Sequence, residues 1–317
     1  MKTTYLITGA GGFLGQSLVD ALLARGDEAL CFDFNAPRDE VLERWEGKAR
    51  FVRGDIRDKA LVDRLASESG SGPVIHLAGI LTAGCDRNPA DAIAVNLCGT
   101  YNVLEAALSH GSRRVVFAST IGVYGRGLPQ PIREDVPLEP DGWYGLTKRA
   151  AEETGLLYVR RNGLDFRAVR FAAVTGPGRV AAGSASLFTS LIPEKAAKGE
   201  PYAIEVTPDT SYPVVYIKDA VAALLALADA EKAPGRIYNI ASGNIAVDKM
   251  VEYIKTKIPD AVFTYAPVDD IMAVVSGYKT WSIDCSRAKN ELGWTPEYGV
   301  QKMVDDIIAA VRSPSRR

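Results

Sequence analysis

The chain has 317 residues, of which 47% are hydrophobic and 24% are charged, with a formal net charge of −2. This is the composition of a globular protein with a sizeable core, and neither a basic excess for nucleic acid nor an acidic disordered tail is present. Four scattered cysteines (Cys31, Cys85, Cys98 and Cys285) without C-x-x-C spacing read as reduced thiols of a cytoplasmic protein. With only His76 and His110, no imidazole-rich metal site is expected.

In chain order, Lys2 precedes an apolar run that resembles a secretion signal. Glycines and Asp20 interrupt it, and no small-residue cleavage site follows, so no leader is expected. No apolar run reaches the length of a membrane span. The first half alternates short apolar runs with amphipathic stretches. Strands are predicted at residues 3–8, 28–33, 50–54, 73–79, 114–119 and 165–171, and helices at 14–25, 59–67, 89–110 and 143–161. Such alternation predicts an α/β fold with a parallel sheet covered on both faces.

After about residue 172 the rhythm changes. "TGPGRVAAGSAS" (residues 175–186) reads as a loop. Helices are predicted at 186–198, 218–229, 247–258 and 300–311, and short strands at 202–206, 213–217, 237–240 and 262–265. The expected organisation is a nucleotide-binding unit over residues 1–172 and a smaller, mainly substrate-binding lobe over 173–317. A stretch near 213–241 is expected to return to the first unit.

"ITGAGGFLGQSL" lies between the first strand and the first helix, with Gly9, Gly12 and Gly15 spaced G-x-x-G-x-x-G. Glycines there allow a tight turn and let a pyrophosphate approach the N–H groups at the helix start. Asp33 ends the second strand, where a carboxylate accepts hydrogen bonds from ribose hydroxyls and repels a 2′-phosphate. That favours NAD over NADP, with nearby Arg38 as the opposing feature. Asp55 either meets an adenine edge or caps the helix over 59–67.

"TGAGGFLG", "GDIRD", "HLAG", "VNLCGT", "FASTIGVYG" and "YGLTK" follow one another in the order seen in extended short-chain dehydrogenases/reductases, and the late "LGWTPEYGVQKMV" extends the resemblance over nearly the whole chain. The resemblance implies a Rossmann-type doubly wound parallel sheet and NAD as cofactor. Tyr144 would be the catalytic acid/base and Lys148 its partner, also holding the nicotinamide ribose. Thr120 would orient the reacting oxygen. His76, Leu77, Ala78 and Gly79 would line the cofactor groove, although His76 also reads as a satisfied strand histidine. Asn96 would buttress the cofactor. Phe13 and Leu14 beside the glycines, Ile56 beside Asp55, Phe171 at the end of the sixth strand and Val174 after it complete the expected cofactor set. The family usually dimerises through two long helices per subunit, here residues 89–110 and 143–161.

Chemistry gives a separate reason for the pair. Tyr144 and Lys148 share one helical face. A free tyrosine has a pKa of about 10, and lowering it by roughly three units takes about 4 kcal/mol. A cation about 4 Å away supplies that order of energy at an effective dielectric near 20.

For the substrate, many relatives in this family bind nucleoside-diphosphate sugars through an Asn after the sixth strand and an Arg before a V-Y-x-x-D motif. Here "RFAAVTGPG" carries alanines and "TSYPVVYIKD" carries Tyr212 at those places. Segments such as "ILTAGCDRNPADAIAVN" and "PDTSYPVVYIKDA" are more similar to the short-chain type of L-threonine dehydrogenase. Ala185, Ser186 and Leu187 depart from that pattern too. A small polar substrate, carrying a carboxylate, is expected. Arg179 is either its anchor or a solvated surface arginine. Thr82 either hydrogen-bonds the substrate or caps a loop.

The expected reaction is NAD-dependent oxidation of a secondary alcohol. Tyr144 takes the hydroxyl proton, Thr120 holds the oxygen, and hydride passes to the nicotinamide. An epimerase would use the same residues, and a non-catalytic NAD-binding sensor would need neither Tyr144 nor Lys148.

Overall fold

The computed structural model describes residues 3–179 and 186–313. Strands β1 (Thr4–Thr8), β2 (Glu28–Asp33), β3 (Ala49–Arg53), β4 (Val74–His76), β5 (Val115–Thr120), β6 (Phe166–Phe171) and the late β10 (Ile237–Ile240) form one sheet in the order β10-β6-β5-β4-β1-β2-β3. Every pairing in it is parallel. The expected doubly wound α/β architecture is the observed one.

Burial on both faces explains the continuous apolar runs. In β1, Tyr5 and Ile7 pack into the core of one face, and Leu6 between them packs into the core of the other. Helices α1 (Phe13–Ala24), α2 (Asp39–Trp45) and α9 (Ile217–Asp229) cover the first face. Helices α3 (Lys59–Ser69), α6 (Gly99–Ser109) and α7 (Trp143–Asn162) cover the second.

The late strands divide between sheets. β7 (Ala173–Thr175), β9 (Ser211–Tyr216) and β11 (Gly243–Ala246) make a three-stranded sheet, and β8 (Tyr202–Ile204) pairs with β12 (Phe263–Tyr265). With α8 (Phe188–Lys198), α10 (Val247–Lys257), α11 (Asp269–Val275) and α13 (Val300–Arg312) they enclose a separate hydrophobic core. Of the stretch near 213–241, β10 joins the main sheet and α9 packs on it. β9 instead joins the smaller sheet, because its partners are β7 and β11.

The helix expected over 89–110 is three pieces: α5 (Pro89–Ala92), a π-helical turn at Ile93–Cys98, and α6. The wider turn holds Asn96 inward; such insertions recur at functional sites. Short helices α2, α4 (Thr82–Arg87) and α12 (Ser286–Leu292) escaped the sequence reading because each is six or seven residues long, too short for a periodic pattern. No described helix is long and apolar enough to cross a membrane.

Helix α7 carries the Tyr144–Lys148 pair, and its seat on the sheet depends on Gly155. A Cβ there would fall onto the Phe166 ring of β6. Gly155→Val is therefore expected to cost about 2 kcal/mol by overpacking, lowering the thermal midpoint by about 5 °C. A calorimetric scan beside the parent protein checks it.

Candidate active site

A cleft of about 2700 Å³ opens over the C-terminal ends of the main strands and reaches under the smaller lobe. It begins at the glycine turn. Gly9 adopts φ +76, and a Cβ on it would sit 2.6 Å from the Ala78 nitrogen. A Cβ on Gly15 would overlap the Gly9 carbonyl. The turn thus packs against the loop after β4 with no room for side chains. Helix α1 begins at Phe13 with Gly12 as its cap, no side-chain cap, and no acidic residue in the first turn. Its first N–H groups are therefore available to an anion, as a pyrophosphate requires.

Asp33 faces this turn. Its carboxylate accepts from Gly11 N at 2.9 Å and from Asn35 N at 3.0 Å. An ionised carboxylate offers about four acceptor sites, so capacity remains for ribose hydroxyls. Burial pushes its pKa up, opposed by the backbone N–H groups around it. Gly11 escaped the sequence reading, although a Cβ there would stand 2.5 Å from the Asn35 carbonyl oxygen. Asp55 lines the cleft and forms a bidentate pair with Arg57, with 2.6 Å between Arg57 Nη2 and Asp55 Oδ2. It does not cap α3, because Asp58 does so by accepting from Leu61 N.

Leu77, Ala78 and Gly79 line the cleft after β4, with Phe13, Leu14, Ile56, Phe171 and Val174 around them. Asn96 stands behind them and is 1% exposed. It accepts from Ile80 N at 2.7 Å and donates to the Ile80 carbonyl at 3.0 Å. It braces the loop rather than lining the groove. His76 is buried as well, between the hydroxyls of Thr8 at 2.6 Å and Thr100 at 2.9 Å. Thr100 donates to the Asn96 carbonyl, so it accepts from Nε2–H, and Nδ1 accepts from Thr8. Burial pulls its pKa down to about 3. His76 is the satisfied strand histidine, outside the cleft.

Tyr144, Lys148 and Thr120 converge. The Thr120 hydroxyl at the end of β5 stands beside the Tyr144 phenol and works to lower its pKa. Lys148 Nζ donates to the Ala118 carbonyl at 2.9 Å and lies 5.9 Å from the Tyr144 ring centroid. That is longer than the spacing of about 4 Å expected from sequence, and Lys148 is not among the groups that chiefly shift the Tyr144 pKa. Burial pushes the Tyr144 pKa well up, Cys85 and Tyr278 add to this, and the Thr120 hydroxyl and the Arg179 charge pull it back. The cation that acts on this tyrosine is thus Arg179.

That cation is not solvated. Arg179 is 8% exposed in the cleft wall. It donates to the Ser186 carbonyl and hydroxyl, each at 3.2 Å. Burial pulls its pKa down to about 10, opposed by Tyr212 and Tyr144. Tyr212 is buried beside it, stacked obliquely on Tyr278 at 5.2 Å between centroids. Thr82 lines the cleft as the first residue of α4 and caps nothing, since Leu81 holds the cap position. Ala185 lies outside the described residues.

A doubly wound sheet, an uncapped glycine-framed helix start and a convergent Thr–Tyr–Lys set define a dinucleotide-dependent oxidoreductase of the short-chain type. Residues 5–241 match the model of the NAD dependent epimerase/dehydratase family, and the chain belongs to that family, with NAD as its cofactor. It is 29% identical over 316 residues to a mitochondrial L-threonine 3-dehydrogenase of Bos taurus, covering 98% of this chain and 83% of the relative. It is also 29% identical over 323 residues to a UDP-glucose 4-epimerase of Corynebacterium glutamicum, covering 96% and 94%. Its structure superposes on the crystal structure of L-threonine dehydrogenase from Phytophthora infestans with a TM-score of 0.87 and 30% identity, covering 98% of this chain and 99% of that one.

Asp33→Ser should raise KM for NAD about tenfold, by loss of one charged acceptor, and should narrow the preference over NADP. Initial rates with both cofactors check this.

Proposed function

We propose that the protein is an NAD-dependent dehydrogenase that oxidises the secondary alcohol of a small carboxylate substrate, a hydroxy acid or a β-hydroxy amino acid such as L-threonine. The observation that carries this reading is the buried Arg179 in the wall of the cleft, whose charge is felt at Tyr144. Burial makes the guanidinium charge costly, and a carboxylate brought beside it offsets that cost with a charge-assisted pair in a dry site. Alanines at 172 and 173 and Tyr212 disfavour a nucleotide sugar, and the Thr–Tyr–Lys convergence disfavours a sensor.

In this reading the glycine turn and the first N–H groups of α1 hold the pyrophosphate, Asp33 the adenine ribose, and Lys148 the nicotinamide ribose. When bound, NAD accepts the carbinol hydrogen and adds a positive charge to the site. Tyr144 as phenolate takes the alcohol proton. The Thr120 hydroxyl donates to the same oxygen and fixes it. Lys148 and Arg179 stabilise the phenolate from two sides.

The outward faces of two helices support a homodimer. Tyr101 on α6 is 43% exposed, and Leu146 and Leu157 on α7 are 45% and 40% exposed, with Ile93 of the π-helical turn and Trp143 nearby in sequence. The four free thiols support a reducing, cytoplasmic setting.

A panel of NAD with L-threonine, 2- and 3-hydroxy acids, sugar acids and nucleotide sugars, followed at the NADH band, tests the reading. The expected signal comes from hydroxy or amino acids. NADH from nucleotide sugars alone, or from none of the panel, overturns it. Tyr144→Phe should lower kcat about 10³-fold. Arg179→Ala should raise KM for the carboxylate substrate about 100-fold with NAD binding retained, and Arg179→Lys should recover only part of that loss. Leu146→Glu with Leu157→Glu should shift the protein to monomer in sedimentation.

A further inference from the structure

The inward face of α7 carries Tyr144, Lys148 and Glu152, each one turn from the next, and three consecutive residues of β5 receive them. Thr120 meets Tyr144, the Ala118 carbonyl accepts from Lys148, and Ser119 Oγ donates to Glu152 Oε1 at 2.5 Å. Glu152 is 1% exposed and Arg170 3% exposed. Arg170 lies on β6 opposite Ser119. Its Nε donates to Oε1 at 3.0 Å and to Oε2 at 3.2 Å, and its Nη2 donates to Oε2 at 2.7 Å. Nη1 donates to the Tyr124 hydroxyl at 2.9 Å and to the Glu134 carbonyl at 3.2 Å. Tyr124 in turn donates to Asn239 at 2.7 Å.

Holding α7 to the sheet does not by itself call for charge. Replacing a buried ion pair with apolar side chains of like volume is often neutral or stabilising. What the carboxylate adds is its charge next to Lys148. That ammonium is buried, with one carbonyl acceptor and the Phe117 ring 4.5 Å away. Burial pulls its pKa down to about 8, and Cys85 and Glu152 work against that pull. The other groups around it carry no compensating charge. Burial raises the Cys85 thiol pKa and favours its neutral form. His76 is neutral. Burial favours the neutral phenol of Tyr144. Arg170 and Arg179 are cations. Among the described residues, Glu152 is the one carboxylate whose charge reaches Lys148. Burial also works against the Arg170 charge, but its bonds to Glu152 outweigh burial and hold it protonated.

We propose that Glu152, clamped by Arg170 and Ser119, is a positioning residue that keeps Lys148 in its ammonium form and thereby sets the alkaline limit of catalysis. This rests on the reading of Tyr144 and Lys148 as the acid/base pair. Loss of the carboxylate favours the neutral amine, so the alkaline limb of the pH profile moves to lower pH.

The test measures kcat/KM against pH for the full-length enzyme, with NAD and the hydroxy-acid substrate found by the panel above. Glu152→Met with Arg170→Met removes both charges together and keeps side-chain volume. Glu152→Gln removes the charge alone, for use where the double variant does not fold, as judged by its thermal midpoint and NAD binding. Glu152→Gln is expected to move the alkaline limb about one pH unit lower, a roughly tenfold loss of rate above the limb, and the double variant, which also removes the Arg170 cation, to move it in the same direction by less, with the rate below the limb within about threefold of the parent in both. Arg170→Lys conserves the charge and should keep the parent limb. A folded charge-removing variant with the parent limb overturns the proposal and leaves the pair a structural clip. Full turnover by Tyr144→Phe overturns the underlying acid/base reading instead, wherever the limb lies.

Discussion

The candidate site depends on the seat of α7 against the end of β5. One helical turn advances about 5.4 Å, whereas successive strand residues advance about 3.3 Å and point to opposite faces. Tyr144, Lys148 and Glu152 meet Thr120, Ala118 and Ser119 only because the helix crosses the strand closely, using a backbone carbonyl in the middle and side chains on either side. Gly155 sets the distance of approach farther along the helix. Gly145 does the same at its start, where a Cβ would overlap the Gly122 carbonyl. A helix held at two glycines and one buried ion pair has little freedom to slide, so the three polar side chains arrive in fixed register.

This close seat has an electrostatic cost. It dries the site, and drying favours neutral tyrosine, neutral lysine and neutral arginine alike. Tyr144 is pushed up, while Lys148 and Arg179 are pulled down to about 8 and about 10. No single neighbour reverses this. The balance is spread over Lys148, Arg179, the Thr120 hydroxyl and, behind them, Glu152. Burial in the protein favours the protonated phenol, and a positive nicotinamide would tilt the balance toward the phenolate. The site is thus tuned for the loaded complex rather than for the free protein.

Much of this was legible in the sequence, for reasons that differ by residue. Strands buried on both faces, such as β5 and β6, announce themselves as apolar runs. The glycine turn is legible because strand, loop and helix follow in order, and Gly9 and Gly15 are where the backbones touch. Asn96 was legible as a buttress of the cofactor side but not as a brace of the loop after β4, because the π-helical turn that aims it inward has no period to read. Asp55 reads as a possible cap on sequence grounds, and the bond from Leu61 shows that Asp58 holds that place instead. Glu152 and Arg170 are not legible as a pair in the sequence. Their pairing is long-range, and charged side chains in an α/β protein are exposed far more often than not. Spacing held a hint, since Glu152 continues the Tyr144–Lys148 stripe by one further turn, onto the face that must be dry.

Arg179 and Tyr212 bear on what the site accepts. A diphosphate needs cations along an extended stretch of the smaller lobe. Here the position on β9 where relatives carry arginine is Tyr212, buried beneath Tyr278 and stacked edge-on with Phe188 at 6.1 Å. Arg179, with Ser186 beside it, is close enough that its charge bears on the Tyr144 phenol itself. An aromatic wall where a cation would stand, and a cation beside the reacting group, shorten the space that opposite charge can occupy. In the proposed reading, the anionic group of the substrate lies within a few bonds of the carbon being oxidised, as in a small hydroxy or amino acid.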